Sequence, residues 1–314
     1  MKIGYEVFLA VCEELSITKA AKRLYITQQA TSDHIRRLEE QFHVTLFKRK
    51  PEFELTEAGQ TLRNSLQNIK IMENNMSRNL NLYAKGLKGT FRVGISTSRA
   101  PIILPLVLPQ FSKEYPLVHI SFDEEDTQIL EDRLRNGDID LFIGVNTTPD
   151  ENFNIHTIAS DDIMLVISDK LLRKHFTEEG IQDLQLSVDL KKFSEVPFIL
   201  PNFKTGKVNH VIQEYLNSKN ICLQVKFDIS DNDTQLRICT TGECAALCSR
   251  MLLGYVKPYN RKSSPSEKLH VFSLKDFNED LRLEMVIHKQ VLYPQYVYRF
   301  MELVREKVQE HLLP

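Results

Sequence analysis

Three things are missing from this 314-residue chain, and each absence narrows what it can be. No stretch approaches the ~20 consecutive apolar residues that a membrane-spanning helix needs. The apolar run at the N-terminus, MKIGYEVFLAVCEEL, is broken by acidic residues and followed by no small-residue cleavage site. It is therefore expected to form a core helix rather than a signal peptide, and the protein is expected in the cytoplasm. The five cysteines, Cys12, Cys222, Cys239, Cys244 and Cys248, include no CxxC pair and have no histidine beside them. That spacing excludes a secreted disulfide framework and argues against a zinc site, leaving buried, inert thiols as the expectation. Also missing are a histidine pair at zinc spacing, a phosphate loop and a G-x-S-x-G turn. No metal, cofactor or catalytic residue is expected, and the acidic run Asp123, Glu124, Glu125, Asp126 is expected to be a solvated loop.

Charge of one sign is lacking too. The formal net charge of −2 argues against a protein that coats nucleic acid. Residues 1–58 carry nine Lys/Arg and nine Asp/Glu. Any affinity for a polyanion must then come from local placement, and a dimer that doubles the contacts becomes physically attractive. Hydrophobic content of 42% and charged content of 26% are an ordinary globular balance. The length allows two or three domains of roughly 100–200 residues.

What is present begins with SITKAAKRLYITQQATSDHIRRLEEQFHVTLF, residues 16–47. Ala20 and Ala21 let a short helix pack closely, and Leu24 buries beneath it. Thr27 is placed to cap a second helix. On that helix Thr31, Ile35, Leu38 and Phe42 recur at spacings of four, three and four, which makes one inward stripe. Gln29, Ser32, Asp33 and Arg36 share the opposite face. Glutamine can pair with adenine in a major groove, while Ser and Arg suit phosphates or guanine. This is a helix-turn-helix pattern, for which a plain helical hairpin with a polar face is the competing reading. The next segment, LFKRKPEFELT, is expected to be a hairpin with Leu46, Phe47, Phe53 and Leu55 turned inward. Its tip holds Lys48, Arg49 and Lys50, suited to phosphate or minor-groove contact.

Beyond Thr56, an expected cap, a proline-free helix runs to about Leu87. Leu62, Leu66, Ile69, Met76, Leu80, Tyr83 and Leu87 fall on a heptad seam broken only by Glu73. Roughly 30 residues at ~1.5 Å each give a rod about 45 Å long. Its seam must be buried against a second copy or against the rest of the chain. Gly86 and Gly89 end it.

From Thr90 onward, apolar strands alternate with amphipathic helices. FRVGIS, VHISFD, IDLFIGV, DIMLVIS, PFIL, VKFDIS, CAALCS, HVFSL and LRLEMVI are the expected strands. Helices are expected over 102–114, 127–136, 206–218, 232–240 and 296–312. Such alternation predicts α/β units with largely parallel sheets, divided into two lobes around a cleft. Ligands in such folds sit beyond the carboxyl ends of the strands, where helix N-termini point. The candidates there are Ser96, Thr97, Ser98 and Arg99 after the first strand, which can hold a carboxylate, an amide or another anion. Asn146 and Thr147 follow IDLFIGV. Asn202, Phe203 and Thr205 follow PFIL, and Thr240 and Thr241 precede CAALCS.

The text FLAVCEELSITKAAKRL, TQQATSDHIRRLEEQFHVTLFKR and LTEAG resembles the winged helix-turn-helix of the LysR-type transcriptional regulators over residues 3–60. The family's later landmarks extend the resemblance to essentially the whole chain. It departs from the family at Gln29, where proline is usual, at Asp33, where Arg or Lys is common, and in a wing one residue short. These differences bear on base preference. The resemblance implies a winged helix-turn-helix over 1–58 and a linker and dimerisation helix over 59–88. It implies an effector-binding domain over 89–314, two-lobed and like periplasmic solute-binding proteins. One lobe would comprise about 90–160 and 269–314, the other 161–268, with residues 169–196 longer and more charged than the usual connection. It adds Gln28 and Thr31 to Gln29, Ser32, Arg36, Arg49 and Lys50 as DNA contacts, and it assigns Ser96 and Ser98 to the effector. The implied partners are double-stranded DNA, a small organic acid or amino-acid derivative, further copies of the chain in a homodimer or homotetramer, and RNA polymerase as a candidate. A regulator with an empty, unresponsive cleft is the alternative. An enzyme built on the lobes is more remote, because no nucleophile–base pair stands in the cleft segments.

Overall fold

The computed structural model describes residues 2–48, 53–84, 88–184, 187–201 and 206–312. They fall into two compact units, the first of residues 1–86, 135–137 and 291–293 and the second of 87–134, 138–290 and 294–314.

In the first unit α1 (Ile3–Glu14), α2 (Ile17–Arg23) and α3 (Gln28–Phe42) are followed by the hairpin β1 (Phe47–Lys48) and β2 (Glu54–Leu55), then by α4 (Glu57–Ala84). Local capping sets the helix starts. Ser16 Oγ accepts the Lys19 N–H at 3.3 Å, and Thr27 Oγ1 accepts the Ala30 N–H at 3.1 Å. Thr56 Oγ1 accepts the Gly59 N–H at 3.0 Å. Each satisfies an amide that the first turn of a helix leaves unpaired. Val7, Phe8 and Val11 of α1, Ala20 of α2, Ile35 and Leu38 of α3, and Leu46 and Phe47 of the hairpin share one core with Leu66 of α4. Phe47 sits between Phe8 and Phe53, with ring centroids 5.5 and 4.9 Å away.

Two expectations change here. Phe42 is 41% exposed, because it lies in the last turn of α3 past Leu38, where the buried stripe ends. The heptad seam is also partly spent within this unit. Leu66 is buried in its core and Leu62 packs against it, whereas Ile69 and Met72 are exposed. The side chains of Met76, Leu80 and Tyr83, together with Gly86 and Leu87, lie outside the described residues.

The second unit contains two sheets. The first is built from β3 (Lys88–Ile95), β4 (Leu117–Glu124), β5 (Leu141–Val145), β6 (Phe153–Asp161) and β13 (Leu281–His288) in the order β4-β3-β5-β13-β6. It carries α5 (Ala100–Glu114), α6 (Thr127–Arg135) and α12 (Gln295–Leu312). Phe91, Phe111 and Phe300 make an edge-to-face cluster between β3, α5 and α12. On α6, Leu130 reaches so close to the sheet that a Cβ at Gly94 would lie 2.5 Å from its Cδ2. The second sheet has the order β10-β9-β11-β7-β12-β8. Its strands are β7 (Ile163–Ser168), β8 (Ser187–Val188), β9 (Pro197–Leu200), β10 (Gln224–Asp228), β11 (Ala245–Ser249) and β12 (Leu269–Leu274). Its helices are α7 (Asp169–His175), α8 (Glu178–Gln182), α9 (Lys207–Ser218), α10 (Asn232–Thr240) and α11 (Val256–Lys262).

Both sheets are mixed rather than largely parallel. In the first, β13 runs antiparallel to both β5 and β6, and in the second β7 runs antiparallel to both β11 and β12. Residues 269–274 belong to the second sheet, so the chain recrosses to the first after Leu274 and not at 268. The pairing of β12 with β7 decides this, and one strand's sequence does not show its partner. The described residues of the segment 169–196 are folded. Ser168 and Thr177 cap α7 and α8, β8 adds an edge strand beside β12, and Leu190 and Phe193 are buried.

The start of α4 rests on the base of the hairpin, for a Cβ at Gly59 would stand 2.2 Å from the Leu46 carbonyl oxygen. Gly59→Ala should therefore destabilise the first unit by about 1–3 kcal/mol, as overpacking against an unyielding neighbour does. An unchanged thermal midpoint would contradict that packing.

Candidate functional site

In the first unit the outer face of α3 is the candidate nucleic-acid surface. Gln28, Gln29 and Arg36 are exposed, and Ser32 and Asp33 are half-buried. Arg36 lies 3.0 Å from Asp33 and 3.8 Å from Glu40. Exposed pairs of this kind contribute about 0–1 kcal/mol, so Arg36 can exchange them for a phosphate at little cost. Thr31 does not belong to this surface. It is fully buried, and its hydroxyl donates to the Thr27 carbonyl at 3.1 Å. Its place in the inward stripe prevails over its expected contact with DNA. Arg49 and Lys50 lie outside the described residues, while Lys48 stands exposed on β1.

In the second unit a cavity of about 880 Å³ opens between the two sheets. One wall comes from the end of β3 and the start of α5, where Ser96, Ser98 and Arg99 line it. The other comes from the starts of α9 and α10, with Lys207, Asn209, Asp231 and Asp233, and from Leu247 and Cys248 of β11. Ser96 Oγ is buried and has no hydrogen-bond partner among the described residues. Burial pushes the Cys248 thiol up to about 12, so it stays protonated and unreactive.

Arg99 is the most buried charge in the wall. Its Nη2 donates to Asp161 at 3.2 Å and to Ser249 Oγ at 3.1 Å, and its Nη1 donates to Ser98 Oγ at 2.9 Å. Ser249 Oγ also donates to Asp161. The second oxygen of Asp161 accepts the Asp162 and Met251 amides at 2.9 and 3.2 Å. Burial pulls the guanidinium pKa down and the Asp161 carboxylate opposes that pull. Only Nε lacks a partner among the described residues. The network joins α5 to the crossover after β6 and to the end of β11, and so ties one lobe to the other. A second tie stands nearby, where Lys207 Nζ donates to Thr148 Oγ1 at 2.8 Å and lies 3.6 Å from Glu131.

The remaining expected residues sit elsewhere. Asn146, with a left-handed backbone, braces the returning strand. Its Nδ2 donates to the Asp280 carbonyl at 2.7 Å and its Oδ1 accepts the Arg282 N–H at 2.8 Å. Thr147 is buried beside Glu284, which accepts its N–H at 2.7 Å. Thr241 ends α10 and donates to the Ile238 carbonyl at 2.8 Å. These three are absent from the cavity lining. Asn146 and Thr241 spend their side chains on a strand and a helix end, while Thr147 is held by its backbone and its buried hydroxyl has no partner among the described residues. Asn202, Phe203 and Thr205 lie outside the described residues, between Pro201 and Gly206, which both line the cavity. Sequence reasoning missed Lys207, Asp231 and Asp233. Asp231 had a legible signal, since it caps α10 by accepting the Thr234 N–H at 2.9 Å. Among the described residues no group of three or more His, Cys, Asp or Glu is placed to hold a metal. No helix among them is long and apolar enough to cross a membrane.

Removing one partner of the buried pair should be costly. Asp161→Ala leaves the Arg99 charge uncompensated and is expected to destabilise the second unit by about 3–5 kcal/mol. The double variant Arg99→Met/Asp161→Leu should recover much of that loss. Equal melting of Asp161→Ala and wild type would contradict the network.

Comparison with known proteins bears on both sites. The model of a bacterial regulatory helix-turn-helix protein of the lysR family matches residues 4–60, and that of the LysR substrate binding domain matches residues 84–309. A probable RuBisCO transcriptional regulator of Thalassiosira pseudonana is 26% identical over 226 residues, 68% of this chain and 73% of its own. The regulator AlsR of Bacillus subtilis is 34% identical over 153 residues, 48% of this chain and 50% of its own. Among solved structures, full-length CbnR complexed with its target DNA aligns with a TM-score of 0.53 at 19% identity, covering 97% of this chain and 98% of that one. HinK, a LysR family transcriptional regulator from Pseudomonas aeruginosa, aligns at 0.57 and 19% identity, covering 97% of each chain. At these identities the structures attest the fold alone. With the substrate-binding-domain match spanning well over half of its length behind a matching helix-turn-helix, the chain belongs to the LysR family and is a DNA-binding transcriptional regulator with a substrate-binding domain.

Proposed function

We propose that a small-molecule effector, taken up between the two lobes, controls how this regulator engages DNA. The observation that carries this reading is the buried Ser96 Oγ on the wall of the 880 Å³ cavity, unpaired among the described residues. Buried hydroxyls are normally satisfied, and a site built to satisfy one with ligand is specific for that ligand. Arg99 Nε, unpaired among the described residues, stands three residues on and supports an acceptor-bearing effector, a small organic acid or amino-acid derivative. The two inter-lobe ties are contacts that an opening of the cleft would break. An effector can shift an equilibrium only through such a difference.

In this reading residues 1–58 bind duplex DNA, residues 59–88 pair the chain into a homodimer or homotetramer, and residues 89–314 sense the effector. Gln28, Gln29, Ser32 and Arg36 meet the major groove, and Arg49 and Lys50 of the wing meet phosphates or the minor groove. The exposed Ile69 and Met72 support a partner along α4. Contact with RNA polymerase and a cytoplasmic location belong to the same reading.

A thermal-shift screen of the full chain against small organic acids, amino acids and their acyl derivatives tests it. A specific binder at about 100 times its Kd should add about 2.7 kcal/mol of stability. Ser96→Ala should abolish the shift. A flat response across the panel would instead support the regulator without an effector. For the DNA face, Gln29→Ala should lose about 1–3 kcal/mol of discrimination at one base position, read by competition between selected and scrambled duplexes.

A further inference from the structure

The turn between α2 and α3 has the hydrogen bonds of a glycine-type helix ending, and a tyrosine stands where glycine is usual. The Ile26 N–H donates to the Ala21 carbonyl at 3.1 Å and the Tyr25 N–H to the Lys22 carbonyl at 3.2 Å. This pair of bonds requires a left-handed residue just past the helix, a place that glycine most often takes and asparagine sometimes does. Tyr25 adopts it with φ +55°. A side chain with a Cβ makes that conformation unfavourable, so the tyrosine weakens the turn it occupies.

Nothing among the described residues offsets this. Tyr25 is 96% exposed, the most exposed of the large hydrophobic side chains. Its hydroxyl and ring make no hydrogen bond or ring contact among the described residues. An aromatic ring that costs stability and packs on nothing points to a contact outside the molecule. Its place says which one. Tyr25 stands two residues before Thr27, the cap of α3, at the end of the helix that a groove receives first. Lys19 and Lys22 are exposed on the preceding turns of α2 and form no ion pair among the described residues. Together they present two cations and a phenol to whatever lies beside the start of α3, which suits a polyanion.

We infer that Tyr25 is a DNA-positioning residue, whose hydroxyl donates a hydrogen bond to a backbone phosphate flanking the groove that α3 enters. This rests on the reading of α3 as the DNA-binding helix. The contact is neutral and made to phosphate, so it should strengthen binding to all sequences alike and displace no counterion.

The test uses duplexes enriched from a random pool by the full-length wild-type protein. Y25F, which lacks only the hydroxyl, and Y25G, which also relieves the turn, should each raise Kd roughly tenfold, about 1.4 kcal/mol. The loss should be equal on an enriched and a scrambled duplex, with the wild-type dependence of log K on log salt. Y25G should melt no lower than wild type. If it does, Y25N, which tolerates the left-handed turn, takes its place. Wild-type affinity in Y25F, or a loss confined to the enriched duplex, overturns the phosphate contact. A wild-type chain that enriches no sequence and retains no duplex overturns the DNA-binding reading, and this proposal with it, before any variant is compared.

Discussion

The second unit depends on how a single buried charge is accommodated. Arg99 enters the cleft wall at the start of α5, away from water, and a lone guanidinium there would be too costly to keep. Asp161 meets it from the last residue of β6, where the chain is about to cross to the other lobe, and Ser249 meets it from the end of β11. The partners come from three elements that converge only when both lobes are formed and set at one angle. Such a pair adds little net stability compared with an apolar substitute, yet breaking it is expensive. It therefore constrains the geometry more than it strengthens the fold. Ser96 and Ser98 stand beside it on the cavity wall.

A different constraint governs the first unit. Its helices are too short to bury much surface alone, so the core borrows from both the hairpin and the long helix. Phe47 stacks between α1 and the wing, Leu66 of α4 closes the bottom, and Thr56 and Gly59 press the start of α4 onto the Leu46 carbonyl. Because α4 contributes to this core, its seam cannot all be offered to a second copy of the chain. The contrast between buried Leu66 and exposed Ile69, three residues apart on the same helix, marks where that sharing ends.

The stability of the second lobe's core accounts for the cysteines. Cys239, Cys244 and Cys248 pack with Val166, Ile199 and Leu236, and burial raises each thiol's pKa. They behave as small apolar side chains. The Tyr25 turn is the opposite case, a position where local stability is given up at the surface. Core positions are occupied for packing and the turn position for contact, and the physical signature that separates them is whether anything within the chain touches the side chain.

The amino-acid sequence by itself determined the elements and their caps. Thr27, Thr56 and Asp231 start helices through bonds to amides three residues on, and alternation or helical spacing marks the strands and helices around them. These are interactions within one turn or one strand, so the order of residues specifies them directly. The candidate cleft was legible to the same extent, through hydroxyls placed after a strand and before a helix at Ser96 and Ser98. Tertiary structure alone decided the rest. Asn146, Thr147 and Thr241 have the right residue types in the right kind of loop, yet Asn146 and Thr241 satisfy neighbouring elements and Thr147 is buried away from the cavity lining. Thr31 carries a hydroxyl suited to a groove and buries it. The strand 269–274 joined the second sheet because β7 offered it an edge. Arg99 found partners 62 and 150 residues away, a distance over which no local pattern carries information. Which polar group faces a ligand and which one holds the fold depends on what the completed sheets bring opposite it.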